Sequence, residues 1–275
     1  MRAVCGICPH HCSLENGQIG FCHARTNVDG KIICTNYGQL TSIALDHIEK
    51  KPFAQYMPSS MVLSVGSYGC NLRCPFCQNY SISMACKTSV ASLFVSPKEL
   101  VQKALDLIPN DNIGIAYTYN EPLISYEYIT DCAKIAHENG LKNVLVTNGY
   151  ICEKPLEDIL PLIDAMNIDL KGFTEAFYKK LNGDLETVKQ TISNAAKCCH
   201  IEVTTLIIPG ENDSIEEMKA LSSWLASISM DIPLHISRFF PMYQYSCKNP
   251  TPVDTVYGLA EIARSNLKYV YTGNC

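Results

Sequence analysis

The sequence lacks any apolar run that approaches the roughly 20 residues of a membrane-spanning helix, and its first residues lack the apolar core of a signal peptide. It also lacks an excess of positive charge, since 22 lysines and arginines stand against 27 aspartates and glutamates. A net charge of −5 offers no basic surface for nucleic acid or for an anionic membrane. We therefore expect a cytoplasmic protein that binds neither.

Charged residues are scarce as well, at 18% of the chain, whereas 47% of the residues are apolar. This balance excludes a disordered chain and predicts a substantial core. A length of 275 residues fits one large α/β domain or two smaller ones.

Cysteine, in contrast, is abundant, with 15 in the chain. Without a secretory signal, this abundance favours thiols that bind metals over a disulfide scaffold. Cys70, Cys74 and Cys77 have the spacing C-x3-C-x2-C within Gly69–Tyr80, so they can converge from one loop on one metal centre. Three thiolates leave one iron of a four-iron cluster without a protein ligand, and that open position suits a molecule with an adjacent amine and carboxylate. A zinc loop or three buried thiols are the alternatives.

A second group of cysteines, Cys5, Cys8, Cys12 and Cys22, lies near the N-terminus. Four thiolates complete a structural zinc site, or an auxiliary iron–sulfur cluster that is coordinatively closed. Unpaired thiols in a mobile tail are the remaining interpretation.

Strand and helix patterns alternate six times from Met61 onward. Short apolar runs alternate with helical periodicity, and a capping box at Ser96-Pro97-Lys98-Glu99 opens the first helix. The predicted strands are Met61–Val65, Ile113–Tyr119, Asn143–Thr147, Ala165–Leu170, Glu202–Ile208 and Leu234–Phe240. Such alternation predicts a parallel sheet, and six units indicate a partial (β/α)6 barrel over residues 61–275. A doubly wound sheet is the alternative. Residues 1–60 are expected to form a small cysteine-rich N-terminal lobe that ends in a polar connector, Asp46–Pro52.

Polar side chains lie in or just after the predicted strands, and the carboxyl ends of parallel strands form one mouth. They are Asn120, Glu121, Asn148, Asp169, Lys171 and His235. Charged and amide groups there suit an amino acid attached to a nucleoside, with Lys171 available to its carboxylate. Taken singly, Asp169 and Lys171 fit a rim ion pair, Asn148 an ordinary turn, and His235 a core histidine.

The cysteine loop, with an aromatic residue before its last cysteine, resembles the signature of the radical S-adenosylmethionine (radical SAM) superfamily. Across most of the chain the sequence is similar to activating enzymes of the pyruvate formate-lyase type, and more closely to the AmmeMemoRadiSam branch. The segments that carry the likeness are Cys5–Cys22, Ile48–Pro52, Gly69–Tyr80, Thr118–Pro122, Thr147–Tyr150, Asp169–Gly172, Ile208–Gly210 and His235–Tyr243. The resemblance implies that Cys70, Cys74 and Cys77 hold a catalytic 4Fe–4S cluster.

The resemblance also implies roles in S-adenosylmethionine binding. Phe76 would lie beside the adenine, and Asn120 and Glu121 would occupy the place of the contact with the methionine amine. Asp169, Lys171 and His235 match activase residues that handle the carboxylate and the ribose. Val146 stands where the activases carry a cation-binding aspartate, so the likeness does not extend to a monovalent-cation site built on that residue.

The implied activity is reductive cleavage of S-adenosylmethionine to a 5′-deoxyadenosyl radical, which abstracts a hydrogen atom from a polypeptide, as an activase does when it makes a glycyl radical. Reduced ferredoxin or flavodoxin is the expected electron donor. Two alternatives stay open: a radical enzyme that modifies a small molecule or another protein's side chain, and an iron–sulfur protein that only transfers electrons or carries metal.

Overall fold

The computed structural model describes all residues from 1 to 275. Its strands are β1 (Ala3–Val4), β2 (Ser13–Leu14), β3 (Arg25–Val28), β4 (Lys31–Cys34), β5 (Gln39–Leu40), β6 (Ser42–His47), β7 (Met61–Gly66), β8 (Leu93–Phe94), β9 (Asn112–Tyr117), β10 (Lys142–Thr147), β11 (Ala165–Asp169), β12 (His200–Ile207), β13 (Leu234–Arg238) and β14 (Val270–Gly273). Its α-helices are α1 (Tyr80–Ser83), α2 (Pro97–Asp106), α3 (Tyr126–Glu138), α4 (Glu153–Ile159), α5 (Glu175–Lys180), α6 (Leu185–Ala195), α7 (Ile215–Ile228) and α8 (Val253–Arg264).

Eight strands form the main sheet, in the order β14-β13-β12-β11-β10-β9-β7-β6. All of them run parallel to their neighbours except β6, which is antiparallel to β7. The edge strands β6 and β14 do not pair with each other, so the barrel is open. The predicted α/β class, with six parallel strands in a partial barrel, is confirmed.

The prediction missed the two edge strands. The interpretation of Asp46–Pro52 as a polar connector was wrong, because Asp46 ends up in β6 and the side chains of Ile48 and Phe53 are fully buried. Strand β14 has only four residues, too few to show a period of two. Because β6 precedes residue 61, the main sheet begins inside the segment assigned to the lobe. The division of the chain at residue 60 stays a prediction.

The helices begin and end as their sequences indicate. Before α2, the Ser96 hydroxyl accepts from the Glu99 amide and the Glu99 carboxylate accepts from the Ser96 amide, which completes the predicted capping box. Helix α3 ends before Gly140, which has a φ of 74°. The helices cover the sheet over an apolar core of 52 buried residues. None of them is both long and apolar enough to cross a membrane.

The N-terminal lobe consists of two small hairpins, β1–β2 and β3–β4. The second turns at Asp29-Gly30. The lobe packs directly on the cysteine loop. The Nε2 atom of His10 lies 2.8 Å from the carbonyl oxygen of Asn71, and the Cys152 amide donates to the carbonyl of Ile7 at 2.9 Å.

Candidate active site

A cavity of about 910 Å³ opens at the carboxyl ends of the parallel strands, and its volume lies in the range that small-molecule sites occupy. The structure brings every residue predicted for the catalytic cluster or for cofactor binding to its lining. These residues are Cys70, Cys74, Phe76, Cys77, Asn120, Glu121, Asn148, Asp169, Lys171 and His235. They come from the cysteine loop, from the carboxyl ends of β9, β10 and β11, and from His235 near the start of β13, which is in register with Asp169 through Thr204. Their convergence follows from the parallel sheet. Their individual roles stay predictions.

The cysteine loop follows β7 and is fixed from both sides. Gly69 has a φ of +87°, and a Cβ atom there would lie 2.3 Å from the carbonyl oxygen of Cys22, so the close approach of the lobe requires glycine. The Cys70 Sγ accepts from the Leu72 amide at 3.4 Å and from the Asn148 Nδ2 at 3.7 Å. Such donors stabilise a sulfur atom once it is charged and bound to a metal.

Burial keeps the Cys70 and Cys74 thiols protonated while no metal is bound. It raises the pKa of Cys74 to about 12 and the pKa of Cys70 well above its usual value. Metal binding therefore has to release these protons.

The donor set fits a 4Fe–4S cluster. Nowhere in the chain are three histidine, cysteine, aspartate or glutamate side chains arranged to hold a single metal ion. A cubane instead separates its ligands, because each thiolate binds a different iron. Three thiols on one loop beside a large polar cavity suit a cluster whose fourth iron faces that cavity.

Asn120, Glu121 and Asn148 connect the loops around the cavity. The Asn120 side chain accepts from the Ser67 amide and donates to the Gly69 carbonyl at 3.0 Å. Glu121 is buried, and its carboxylate accepts from the Asn148 amide at 2.8 Å and from the Thr147 hydroxyl at 2.7 Å. Burial outweighs these hydrogen bonds and raises the pKa of Glu121 to about 7. These three residues hold the turns in place and present part of their surface to the cavity.

Asp169 and Lys171 form an ion pair on the cavity wall, with 2.6 Å between Oδ2 and Nζ. Burial opposes the charge of the lysine, but Asp169 and the nearby cysteines raise the pKa of Lys171 above its usual value. The lysine is therefore a fixed cation next to the cysteine loop. Phe76 is buried and stacks on Phe177 at 6.1 Å between ring centroids.

Two groups of polar residues in or next to the cavity were missed. Glu202 is fully buried, and its carboxylate contacts the Nε2 atoms of His235 at 2.5 Å and His200 at 3.0 Å. The sequence did carry a signal for Glu202, because a glutamate within an otherwise apolar strand needs a partner when it is buried. Burial alone would raise its pKa, but the two histidines and the amides of Ala54 and Gln55 together lower the pKa of Glu202 to about 2.

The second missed group lies at the open side of the barrel. Lys51 is buried and its Nζ contacts the Asp46 Oδ2 at 2.8 Å, while the Tyr119 hydroxyl donates to the same carboxylate oxygen at 2.7 Å. Tyr119 has a φ of 70°, which is uncommon for a tyrosine. These residues meet only in the folded chain, so no local pattern could have shown them.

Comparison with known proteins identifies the family, since the model of the radical SAM superfamily matches residues 64–221. This chain belongs to the radical SAM superfamily. An uncharacterized protein of Methanocaldococcus jannaschii, MJ0808, is 41% identical to this radical SAM chain over 276 residues, which cover 99% of this chain and 81% of that protein. The pyruvate formate-lyase-activating enzyme of Clostridium pasteurianum is 26% identical over 166 residues, or 58% of this chain and 67% of that enzyme.

Among solved structures, the radical SAM chain resembles the crystal structure of SuiB from Streptococcus suis bound to S-adenosylmethionine. The TM-score is 0.61 at 15% identity, over 78% of this chain and 52% of that one, which is a likeness of fold. The predicted likeness to activating enzymes is confirmed; the narrower likeness to the AmmeMemoRadiSam branch stays a prediction. Membership of the radical SAM superfamily makes the chain an enzyme of radical chemistry, with a 4Fe–4S cluster and S-adenosylmethionine as cofactors. An electron carrier without chemistry of its own is thereby excluded.

Proposed function

We propose that this radical SAM enzyme abstracts a hydrogen atom from a polypeptide substrate, in the manner of an activating enzyme. The observation that carries the proposal is the convergence of Cys70, Cys74 and Cys77 with the strand-end residues on one cavity. A 4Fe–4S cluster held by these thiols would supply one electron to S-adenosylmethionine, whose C5′–S bond would break to give methionine and the 5′-deoxyadenosyl radical that takes the hydrogen atom. Reduced ferredoxin or flavodoxin is the proposed source of that electron.

The protein's part is to bind and orient. Lys171, held by Asp169, offers a cation to the carboxylate of S-adenosylmethionine. His235, held through Nε2 by Glu202, has Nδ1 left for the ribose hydroxyls. Phe76 offers an aromatic face to the adenine.

Two observations favour a polypeptide substrate. The Clostridium relative is named for activating another enzyme, pyruvate formate-lyase. The cavity also extends beyond the proposed cofactor contacts, to Lys51 on one side and to the segment 271–274 on the other. This extra space can take a chain segment beside the cofactor.

The activity is tested with anaerobically reconstituted protein, a chemical reductant and S-adenosylmethionine. The expected product is 5′-deoxyadenosine, measured by chromatography, and a Cys74→Ala variant should form none. Cys198→Ala, which changes an exposed cysteine away from the cavity, is the matched control and should behave as the parent. Equal product from the parent and Cys74→Ala would refute the proposal.

The substrate class is tested by following the abstracted atom. Extract from cells grown on deuterated glycine is divided by size and added to the reaction, and 5′-deoxyadenosine is analysed by mass spectrometry. Deuterium should enter the product with the macromolecular fraction, and protease treatment of that fraction should abolish the transfer. Transfer from the small-molecule fraction alone would instead establish a small-molecule substrate.

A further inference from the structure

A second, much smaller cavity lies within the N-terminal lobe, behind the cysteine loop. All four cysteines of the N-terminal group line it, together with Arg25; they are Cys5, Cys8, Cys12 and Cys22. The proposed function uses none of these thiols. They are not an exposed tail, because three of the four are buried.

Arg25 is a separate sign that a ligand is missing. Its side chain is only about 5% exposed, and its Nη1 donates to the Ile124 carbonyl at 2.8 Å and to Glu127. Its Nε, however, is buried without any hydrogen-bond partner. A buried N–H of a charged group is costly to leave unpaired. Because Arg25 lines the small cavity, an anionic acceptor in that cavity would complete its hydrogen bonds.

We propose that Cys5, Cys8, Cys12 and Cys22 ligate a second iron–sulfur cluster, and that Arg25 stabilises its negative charge. Four thiolates around an iron–sulfur core give a net anion whose sulfur atoms accept N–H donors. One such donor is already in place, since the Phe21 amide lies 3.5 Å from the Cys12 Sγ.

The arrangement of the thiols favours a cluster over zinc. Although they line one cavity, no three of them are placed to hold a single ion, and the same is true of Cys70, Cys74 and Cys77. The second site differs from the catalytic one in its ligand count. Four cysteines occupy every iron of a cubane, so this cluster has no position open to S-adenosylmethionine.

The second cluster would be a close neighbour of the first. The Asn71 side chain lies beside the Cys8 thiol. Its Oδ1 accepts from the Asn148 Nδ2 at 2.9 Å, and that nitrogen also contacts the Cys70 Sγ. Two amide side chains therefore connect a ligand of one centre with a ligand of the other.

The decisive experiment removes the catalytic ligands together, as Cys70→Ala, Cys74→Ala and Cys77→Ala in one chain, and reconstitutes the protein without oxygen. It should retain about four irons and four sulfides per chain, roughly half of the parent's content. After reduction it should give an electron paramagnetic resonance signal that S-adenosylmethionine leaves unchanged. A folded triple variant without iron, or one that binds an equivalent of zinc in preference to iron, would overturn the proposal.

The reciprocal variant, Cys8→Ser with Cys22→Ser, should lose about half of the parent's iron and keep the signal that responds to S-adenosylmethionine. Cys34→Ser is the matched control, because Cys34 lies in the same lobe but its thiol donates to Asn36 and does not line the cavity. Undiminished iron in the double variant would refute the site. If the double variant does not fold, Cys12→Ser at a partly exposed position provides the same comparison.

Discussion

The Nε2 atom of His235 lies 2.5 Å from the Oε2 atom of Glu202, a carboxylate that is entirely buried in the barrel. The same carboxylate accepts from the backbone amides of Ala54 and Gln55 at 2.9 and 2.8 Å. One acidic side chain thus fixes the orientation of a ring at the cavity and anchors the chain segment that follows Lys51.

Glu202→Gln should remove a pH-dependent part of the stability. The folded pKa of Glu202, about 2, lies below the unfolded value near 4.5. The ionised carboxylate of Glu202 therefore stabilises the fold by about 3 kcal/mol at pH values above its pKa in the unfolded chain. This stabilisation is lost as the pH falls through its pKa in the folded protein. Denaturant unfolding of the metal-free protein should show the parent's advantage over the variant shrinking in acid. Glu186→Gln, at an exposed position, serves as the control, and a pH-independent difference for Glu202→Gln would contradict the prediction.

Glu121→Gln should show the opposite trend. Burial raises the folded pKa of Glu121 to about 7, above its unfolded value. The contribution of Glu121 to the free energy of unfolding is therefore fully present at pH values below its pKa in the unfolded chain. It falls by about 3 kcal/mol as the pH rises through its pKa in the folded protein. The variant loses hydrogen bonds but has no such slope, so its deficit in unfolding free energy should narrow between mildly acidic and neutral pH. A deficit that stays constant over this interval would show that Glu121 is ionised throughout and would contradict the prediction.

Gly69→Ala should separate the cysteine loop from the lobe. The new methyl group meets the Cys22 carbonyl at 2.3 Å, whereas Gly17, with a similar φ of +80°, has open space around it. Gly17→Ala should therefore lower the free energy of unfolding only by the penalty for a side chain in the left-handed region, about 1 kcal/mol. Gly69→Ala should lower it by at least about 3 kcal/mol. Thermal unfolding measures both, and iron analysis should show poorer loading only for Gly69→Ala. Equal losses of unfolding free energy in the two variants would mean that the lobe moves away from the new methyl group without a penalty.

Lys171→Gln should weaken the binding of S-adenosylmethionine without abolishing turnover. Loss of a charge-assisted hydrogen bond to a carboxylate costs roughly 1.5–3 kcal/mol, which is about a 10- to 100-fold rise in Kd. Equilibrium dialysis measures the affinity directly. Lys180→Gln removes an exposed lysine that pairs with Glu211, and it should leave the affinity unchanged. An unaltered Kd for Lys171→Gln would place the carboxylate elsewhere in the cavity.

The parts of the fold and site that local sequence signals encode could be predicted. The cysteine spacing, the six longer strands and the polar residues at their ends are each visible within a short window, and a parallel sheet then brings those ends together. The contact of Asp46 with Tyr119 and that of Glu202 with His235 join residues that are 73 and 33 positions apart. Such pairs come into contact only when the chain folds, so the local sequence does not reveal them. The edge strand β14 is too short to carry a pattern of its own.

The lobe closes the rear of the catalytic loop. Arg73 donates to the carbonyls of Cys70 and Phe21 from either side of this boundary, and its guanidinium stacks on the Phe21 ring at 4.1 Å. Dioxygen can reach the thiolates from that side only when the lobe lifts away. Because the same three thiols also line the open cavity, opening of residues 1–28 adds a second route to them, so a variant with a loosened lobe should be inactivated by air faster than the parent even if its global stability is unchanged.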